Sequence, residues 1–340
     1  MIQNIRIRQV CTDTLSCEPI VRRVSNGELL CLCQCGGPRE PDPANRVYAF
    51  HSADNGDTWS KRELIRPEDG RAVYCTEVTV EGEEITAYLT VHTGRFLDWQ
   101  CVMYKSSDCG YTWYNAGSPP YFPEYTFIRG QIHRRDGGIV LPYQFYPVPR
   151  AEHDRVLADP AILDKKVSEM RVPYCESGVL ISENGGKEYI RYPATRFGME
   201  VNWVWSEPTV VELESGELVM LMRRDRSWCL WECRSSDGGK TWSEAVATDI
   251  PNPPNKPKLI RAGDKIALLH TPNATWRHRY PLALWLSEDG MKTWKHKIVL
   301  SDFPGKFYYC DGIWEDGHIL FTVEHNRHTV LFFDVALADL

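Results

Sequence analysis

Ser52-Ala-Asp54-Asn-Gly56-Asp-Thr58-Trp59 is the first copy of an octet that recurs along the chain and sets its architecture. Asp-x-Gly between two strand-forming runs is a turn: the carboxylate accepts backbone N–H groups within it, and the glycine takes a positive φ. Thr and Trp then open the next strand, where the indole can bury a large area. The octet returns at Ser106-Ser-Asp108-Cys-Gly110-Tyr-Thr112-Trp113 and at Ser235-Ser-Asp237-Gly-Gly239-Lys-Thr241-Trp242. A fourth copy, Ser287-Glu-Asp289-Gly-Met291-Lys-Thr293-Trp294, has its glycine one place early, at Gly290. A worn copy stands at Ser182-Glu-Asn184-Gly-Gly186-Lys-Glu188-Tyr189. From Asp54 the steps to Asp108, Asn184, Asp237 and Asp289 are 54, 76, 53 and 52 residues. A catalytic or metal-binding carboxylate is not needed five times, so these are read as turn staples.

Between the copies runs a second repeat. Glu18 and Glu207 each precede a turn glycine by nine residues, at Gly27 and Gly216, and Arg129 and Tyr308 stand in the same relation to Gly138 and Gly317. Cys75 and Lys256 open shorter versions ending at Gly82 and Gly263. Each segment is an apolar strand, a glycine turn and a second apolar strand, such as Leu218-Val-Met-Leu-Met222. Six hairpins at roughly 50-residue spacing, each followed by further strand, predict four strands per unit in a closed ring, the propeller solution to exposed sheet edges. The Ile5–Val10 stretch would complete the last unit beside Val330–Val335. The expectation is an all-β, six-bladed β-propeller forming one domain over 1–340. The long step places an insertion at about 143–174, a surface loop or a lid, with a short helix expected from the capping pair Asp159-Pro160 to Met170.

Composition narrows the function. Of 340 residues, 39 are Lys or Arg and 46 Asp or Glu, giving a net charge of −7. An electrostatic nucleic-acid binder should carry a basic face, so nucleic acid is not an expected partner. No run approaches 18 apolar residues, so no membrane helix is expected. Met1–Val10 alternates like a strand and lacks the apolar core of a secretory signal. The 12 cysteines therefore read as reduced thiols of a cytoplasmic chain. Cys31, Cys33 and Cys35 alternate onto one strand face. Without a Cys-x-x-Cys or a histidine at ligand spacing, they read as small buried hydrophobes rather than a metal cluster. No cofactor is expected, since no nucleotide-binding glycine signature occurs.

The octet resembles the Asp-box, or bacterial neuraminidase repeat, and six blades carrying it resemble the sialidase superfamily over nearly the whole chain. That resemblance implies a site at the ring axis, opposite the Asp-box face. It also implies three arginines for a substrate carboxylate, a Tyr nucleophile paired with a Glu, and an Asp acid/base on a loop of the first blade. Carried over residue by residue, Glu207 is the catalytic Glu and Arg223, in Leu-Met-Arg223, the second arginine, with Arg224 the neighbouring alternative. Tyr308 is the nucleophile, with Tyr309 adjacent; Arg279 is the third arginine, with Arg277 its competitor; Asp42 is the acid/base, with Glu40 nearby. The family's first arginine is absent, because Cys17-Glu18-Pro19 stands where Arg-Ile-Pro begins the first blade.

The residues alone point the same way. Inner strand starts would bring Glu18, Arg129, Glu207, Lys256 and Tyr308 toward one axis, with Glu77 and Asp311 close by in sequence. So many ionisable groups are costly in a packed core and suit a polar, concave site. Sugars need such groups for hydroxyls, and aromatic faces such as Trp203, Trp205, Tyr121, Phe122 and Tyr125. Each of these aromatics reads first as packing. The expected function is a sialidase-like, exo-acting, retaining glycoside hydrolase: Tyr308 and Glu207 form the nucleophile pair, Asp42 is the acid/base, and Arg223, Arg279, Glu18, Arg129 and Lys256 hold a carbohydrate. Glu18 argues against an obligatory sialic acid. The alternatives are a lyase-type sugar enzyme, with Tyr or His133 as base, and a non-catalytic glycan-binding propeller.

Overall fold

The computed structural model describes residues 5–94, 99–119, 125–158, 170–199, 203–275 and 277–337. The alternating N-terminal stretch is strand β1 (Ile5–Thr12), which joins the last sheet. Blade 1 is β2 (Ser16–Arg23), β3 (Leu29–Cys35), β4 (Arg46–Ser52) and β5 (Glu63–Leu64). Blade 2 is β6 (Ala72–Glu81), β7 (Glu84–His92), β8 (Gln100–Ser106) and β9 (Tyr114–Gly117). Blade 3 has a broken inner strand, β10 (Thr126–Ile128) and β11 (Ile132–His133), followed by β12 (Ile139–Phe145), helix α1 (Arg150–Ala158), β13 (Tyr174–Ser182) and β14 (Ile190–Gly198). Blade 4 is β15 (Pro208–Glu212), β16 (Leu218–Met222), β17 (Cys229–Ser235) and β18 (Val246–Pro251). Blade 5 is β19 (Lys258–Ala262), β20 (Lys265–His270), β21 (Ala283–Ser287) and β22 (His296–Val299). Blade 6 is β23 (Phe307–Glu315), β24 (His318–His325) and β25 (Thr329–Ala336), completed by β1 pairing antiparallel to β25, Ile5 opposite Val335. The protein is thus a six-bladed β-propeller.

The inner strand of blade 3 breaks opposite Pro142 on β12. Proline has no N–H to give a neighbouring strand, so only the Arg129 N–H reaches across, to the Pro142 carbonyl at 2.8 Å. The insertion after β12 folds as α1, nine residues before the helix expected at 159–170; positions 159–169 lie outside the described residues. Val156 on α1 packs with Met170 and Val172 against Trp99, Phe127 and Tyr146 of the propeller. Among the described residues no helix is long and apolar enough to cross a membrane.

Each Ser-x-Asp octet joins the third strand of a blade to its fourth. Ser52 Oγ donates to Asp54 Oδ1 (2.8 Å) and accepts the Gly56 N–H (2.8 Å). Asp54 also accepts the Thr58 N–H (2.8 Å) and hydroxyl (2.6 Å). The same four bonds recur around Asp108, Asp237 and Asp289. In the worn copy Asn184 still takes the Ser182 hydroxyl (2.9 Å) and the Glu188 N–H (3.0 Å). Met291 holds the glycine position of the fourth copy at φ 65°, its N–H on Ser287 Oγ at 2.9 Å.

These turns also join blades. A Cβ on Gly56 would lie 2.2 Å from the Phe332 ring of blade 6, and one on Gly110 would lie 2.9 Å from Leu30 of blade 1. The glycine thus supplies both the positive φ and the close approach of one blade to the previous one.

Candidate active site

Three inner strands are bulged where they begin. Register slips between Cys17 and Ile20 in β2, between Cys75 and Glu77 in β6, and between Phe307 and Cys310 in β23. A bulge re-aims side chains that simple alternation would send elsewhere. In β2 it leaves Glu18 at φ 52° with its carboxylate buried at 3% exposure. In β23 both Tyr308 and Tyr309 lie within the slip.

Glu207, just before β15, is the centre of the cluster and 1% exposed. The Tyr309 hydroxyl donates to Glu207 Oε1 at 2.6 Å. Arg223, where β16 ends, donates through Nη1 to the Tyr309 hydroxyl (2.8 Å) and to Glu207 Oε2 (3.0 Å), while its Nε holds Asp225 Oδ1 (2.7 Å). The partner of Glu207 is therefore Tyr309, where Tyr308 was expected. Both tyrosines lie in the slip of β23, so the nine-residue spacing to Gly317 that singled out Tyr308 does not fix which of them faces Glu207. Tyr308 instead lies under the Arg279 and Arg327 guanidinium groups, 4.5 and 5.3 Å from its ring centre.

The other expected cations converge on the same place. Arg129 Nη2 is 3.8 Å from Glu207 and its Nη1 is 4.0 Å from Glu18, while it also donates to the Tyr74 hydroxyl (2.9 Å). Lys256 Nζ is 3.8 Å from Glu18 and 5.2 Å from the centre of the Tyr309 ring. Arg279 donates to the Pro254 carbonyl (2.8 Å) and stands 5.8 Å from the Tyr309 ring centre. The register alternatives go elsewhere: Arg224 lies over Phe197 and Trp231, and Arg277 is exposed.

Asp42 is not brought to this cluster. Its carboxylate accepts the Ala44 N–H at 2.9 Å, and Asn45 Nδ2 closes the same loop onto the Gly36 carbonyl at 2.6 Å. Glu40 of that loop instead accepts from Gln34 (3.3 Å) and pairs with Arg327. Arg327 also lies 3.3 Å from Glu324, a fully buried carboxyl whose second oxygen accepts the Glu18 N–H at 3.4 Å. The sequence reading missed Glu324 and Arg327. Their signal was the end of β24, which returns toward the axis as β16 does at Arg223.

The charges are poised unequally. Burial pushes Glu18 up to about 8 although Lys256 and Arg129 pull against it. Burial likewise raises Glu324 to about 7, against Arg327. Burial would raise Glu207 too, but Arg223, Arg129 and the Tyr309 hydroxyl outweigh it and hold this carboxyl below its ordinary value. Burial, then the Glu207 charge, keep Tyr309 a neutral phenol. At neutral pH the site thus holds a carboxylate on a phenol beside a carboxyl that keeps its proton.

Glu77 and Asp311 form a separate network further along the axis. Arg22 bridges both, and Lys258 Nζ reaches Asp311 at 2.6 Å. Past it lies a cavity of about 560 Å³ lined by Arg22, Lys258, Arg261, Arg135 and His133. His133 pairs with Glu81 at 3.1 Å and lines this cavity, away from the Glu207 cluster. Of the candidate platforms, Trp203 stacks on Tyr146 at 4.5 Å and Trp205 packs edge-on to it at 5.6 Å. Tyr125 is buried in the same cluster, and Tyr121 and Phe122 lie outside the described residues.

Comparison with known proteins agrees with this architecture. A sialidase of Bacteroides fragilis (strain YCH46) is 26% identical over 260 residues, which is 71% of this chain and 42% of that protein. The chain therefore spans less than half the length of that relative. Among solved structures, the Hadza microbial sialidase Hz136 superposes with a TM-score of 0.73 at 18% identity, over 96% of this chain and 66% of the other. A protein of unknown function from Dyadobacter fermentans gives 0.72 at 16% identity, over 99% of this chain and 100% of its own. Trypanosoma rangeli sialidase, in complex with 2,3-difluorosialic acid, gives 0.70 at 16% identity, over 96% and 54%. At such identities these likenesses speak for the fold. The model of the BNR repeat-like domain matches residues 27–321, and the chain belongs to that family, within the sialidase superfamily.

Proposed function

We propose that the protein is a sialidase-like, exo-acting, retaining glycoside hydrolase in which Tyr309 is the nucleophile and Glu207 its base. The observation that carries this reading is the 2.6 Å hydrogen bond from the Tyr309 hydroxyl to Glu207, with Arg223 on both groups. Retaining glycosidases form a covalent glycosyl-enzyme through an oxocarbenium-like transition state, and sialidases use Tyr as nucleophile. Because Tyr309 is a phenol at rest, Glu207 takes its proton as the oxygen attacks the anomeric carbon. The carboxyl of Asp42 is committed to its turn, so we assign the proton for the leaving-group oxygen to Glu18. Glu18 then takes a proton from the water that hydrolyses the intermediate, and Glu207 returns the phenol proton.

Arg129, Arg223, Lys256 and Arg279 surround this chemistry and are assigned to substrate oxygens. Cys17 stands at the place of the family's first arginine, with the acid Glu18 beside it, so the substrate is a terminal sugar not restricted to sialic acid. The test is turnover on a panel of aryl glycosides, followed by trapping with the matching fluorosugar. A covalent adduct mapped to Tyr309 is the expected result. Turnover with inversion, or an adduct on another residue, would remove Tyr309 from the role. An unsaturated uronate product would instead mark the lyase reading, and glycan binding without turnover the binding-module reading.

A further inference from the structure

The closure of the ring brings together side chains that lie apart in sequence. β3 presents Cys33 and Cys35 on one face, with their Sγ atoms 3.5 Å apart. β1, the strand added to blade 6, carries a bulge between Gln9 and Cys11 and delivers Cys11 to within 3.7 Å of Cys33. The three Sγ atoms all lie within 4.8 Å of one another. The Ser16 hydroxyl, on β2, is 3.8 Å from Cys35 Sγ.

These spacings match a coordination polyhedron. With metal–sulfur bonds of about 2.3 Å, a tetrahedral edge is about 3.8 Å, so one ion fits between the thiols with little movement. Cys33 and Cys35 are at most 1% exposed, Ser16 is fully buried, and Cys11 is partly exposed at the edge, which gives an entry path. Around them Val10, Phe50, Val330 and Phe332 form an apolar wall. Such a wall excludes competing water and strengthens thiolate binding.

We infer that Cys11, Cys33 and Cys35 form a three-thiolate site for a soft d10 metal ion, with Ser16 or a water completing the shell, and that the ion fastens β1 of blade 6 to β3 of blade 1. Binding displaces three S–H protons to solvent and involves no change of oxidation state. The site is separate from the Glu207 cluster and stands whether or not the hydrolase reading does. Thiolate donors select zinc(II) or copper(I) over harder cations. Since β1 closes the ring, an ion here stabilises the closed propeller by linkage.

The test uses the full chain, reduced and stripped of metal, with zinc(II), cobalt(II) as its coloured stand-in, and copper(I). The expected result is one equivalent bound to zinc(II) or copper(I), a rise in melting temperature, and thiolate-to-cobalt charge-transfer bands. Cys11→Ser should weaken binding at least tenfold and remove the rise in melting temperature. Cys229→Ser, outside the cluster, should change neither. Cys33→Ala tests the same site from the core, and Cys11→Ser keeps the test open if that variant does not fold. Absence of stoichiometric binding, binding unchanged in Cys11→Ser, or a disulfide among the three cysteines in place of the metal would each overturn the proposal.

Discussion

The turns at Asp54, Asp108, Asp237 and Asp289 and the strand starts at Glu18, Arg129, Glu207 and Tyr308-Tyr309 belong to the same repeating blade and behave in opposite ways. At the turns, the repeat keeps its residues and so keeps its hydrogen bonds, down to the same Ser–Asp–Thr geometry in four blades. At the strand starts, the residues differ from blade to blade, and the strands of Glu18 and Tyr309, like β6, are bulged. Where the chain repeats itself it builds scaffold. Where it departs from its own repeat, it places unlike charges against one another. The turn carboxylates meet water and are held low by local hydrogen bonds, Asp54 at about 2 through Thr58 and Ser52. The axial carboxyls are buried and split, Glu18 upward and Glu207 downward, and that split is what acid–base chemistry requires.

The two regions should respond differently to substitution, the axis mainly in turnover and the turns only in stability. Glu207→Gln and Tyr309→Phe should each lower kcat/KM about a thousand-fold, measured on the folded fraction of each variant. Tyr308→Phe should cost only a few-fold, which steady-state kinetics on one active glycoside will decide. Gly56→Ala should do the reverse. Its Cβ meets the Phe332 ring at 2.2 Å and its φ is 89°, so urea unfolding should show a loss of about 3 kcal/mol with kcat kept in the folded fraction.

Glu18→Gln should remove the alkaline limb of the rate profile, expected near pH 8, and lower the rate for substrates with poor leaving groups most. The same residue sets a stability trend. The folded-state values of Glu18 and Glu324 lie above the ordinary carboxylate range. Their contribution is therefore complete below the ordinary carboxylate range and is lost progressively as pH rises from there up to about 7 for Glu324 and about 8 for Glu18. The urea midpoint should fall over that interval, and fall less in Glu18→Gln. The smallest effect belongs to Ser106→Ala. It strands the buried Gly110 N–H and should cost about 1–2 kcal/mol, with no change in kinetics.

Much of the fold was legible because turn chemistry is local. Asp-x-Gly, the strand alternation around it and the spacing of the glycines each depend on neighbours a few residues away, and together they gave six blades and the closing role of Ile5–Val10. Glu207 was legible as a hairpin start, whereas Arg223, where that hairpin ends, was reached through the family resemblance. Tyr309 was not legible, since choosing it over Tyr308 depends on a bulge that alternation cannot reveal. Asp42 and Glu40 share one loop, and only its closure by Asn45 decides which carboxylate turns inward.

The propeller, its blade count and the strand starts from which charges converge follow from periodicity and turn residues, and so are written in the chain. Which of two adjacent tyrosines meets Glu207, that Glu324 and Arg327 join the axis, and that Cys11 meets Cys33 and Cys35 emerge only in the folded ring. Each depends on distances across blades, set when the ring closes, between residues up to some 300 positions apart in the chain. The physical reason is the same throughout. Local hydrogen bonds fix the strands and turns, but burial and pairing of charge belong to the assembled ring.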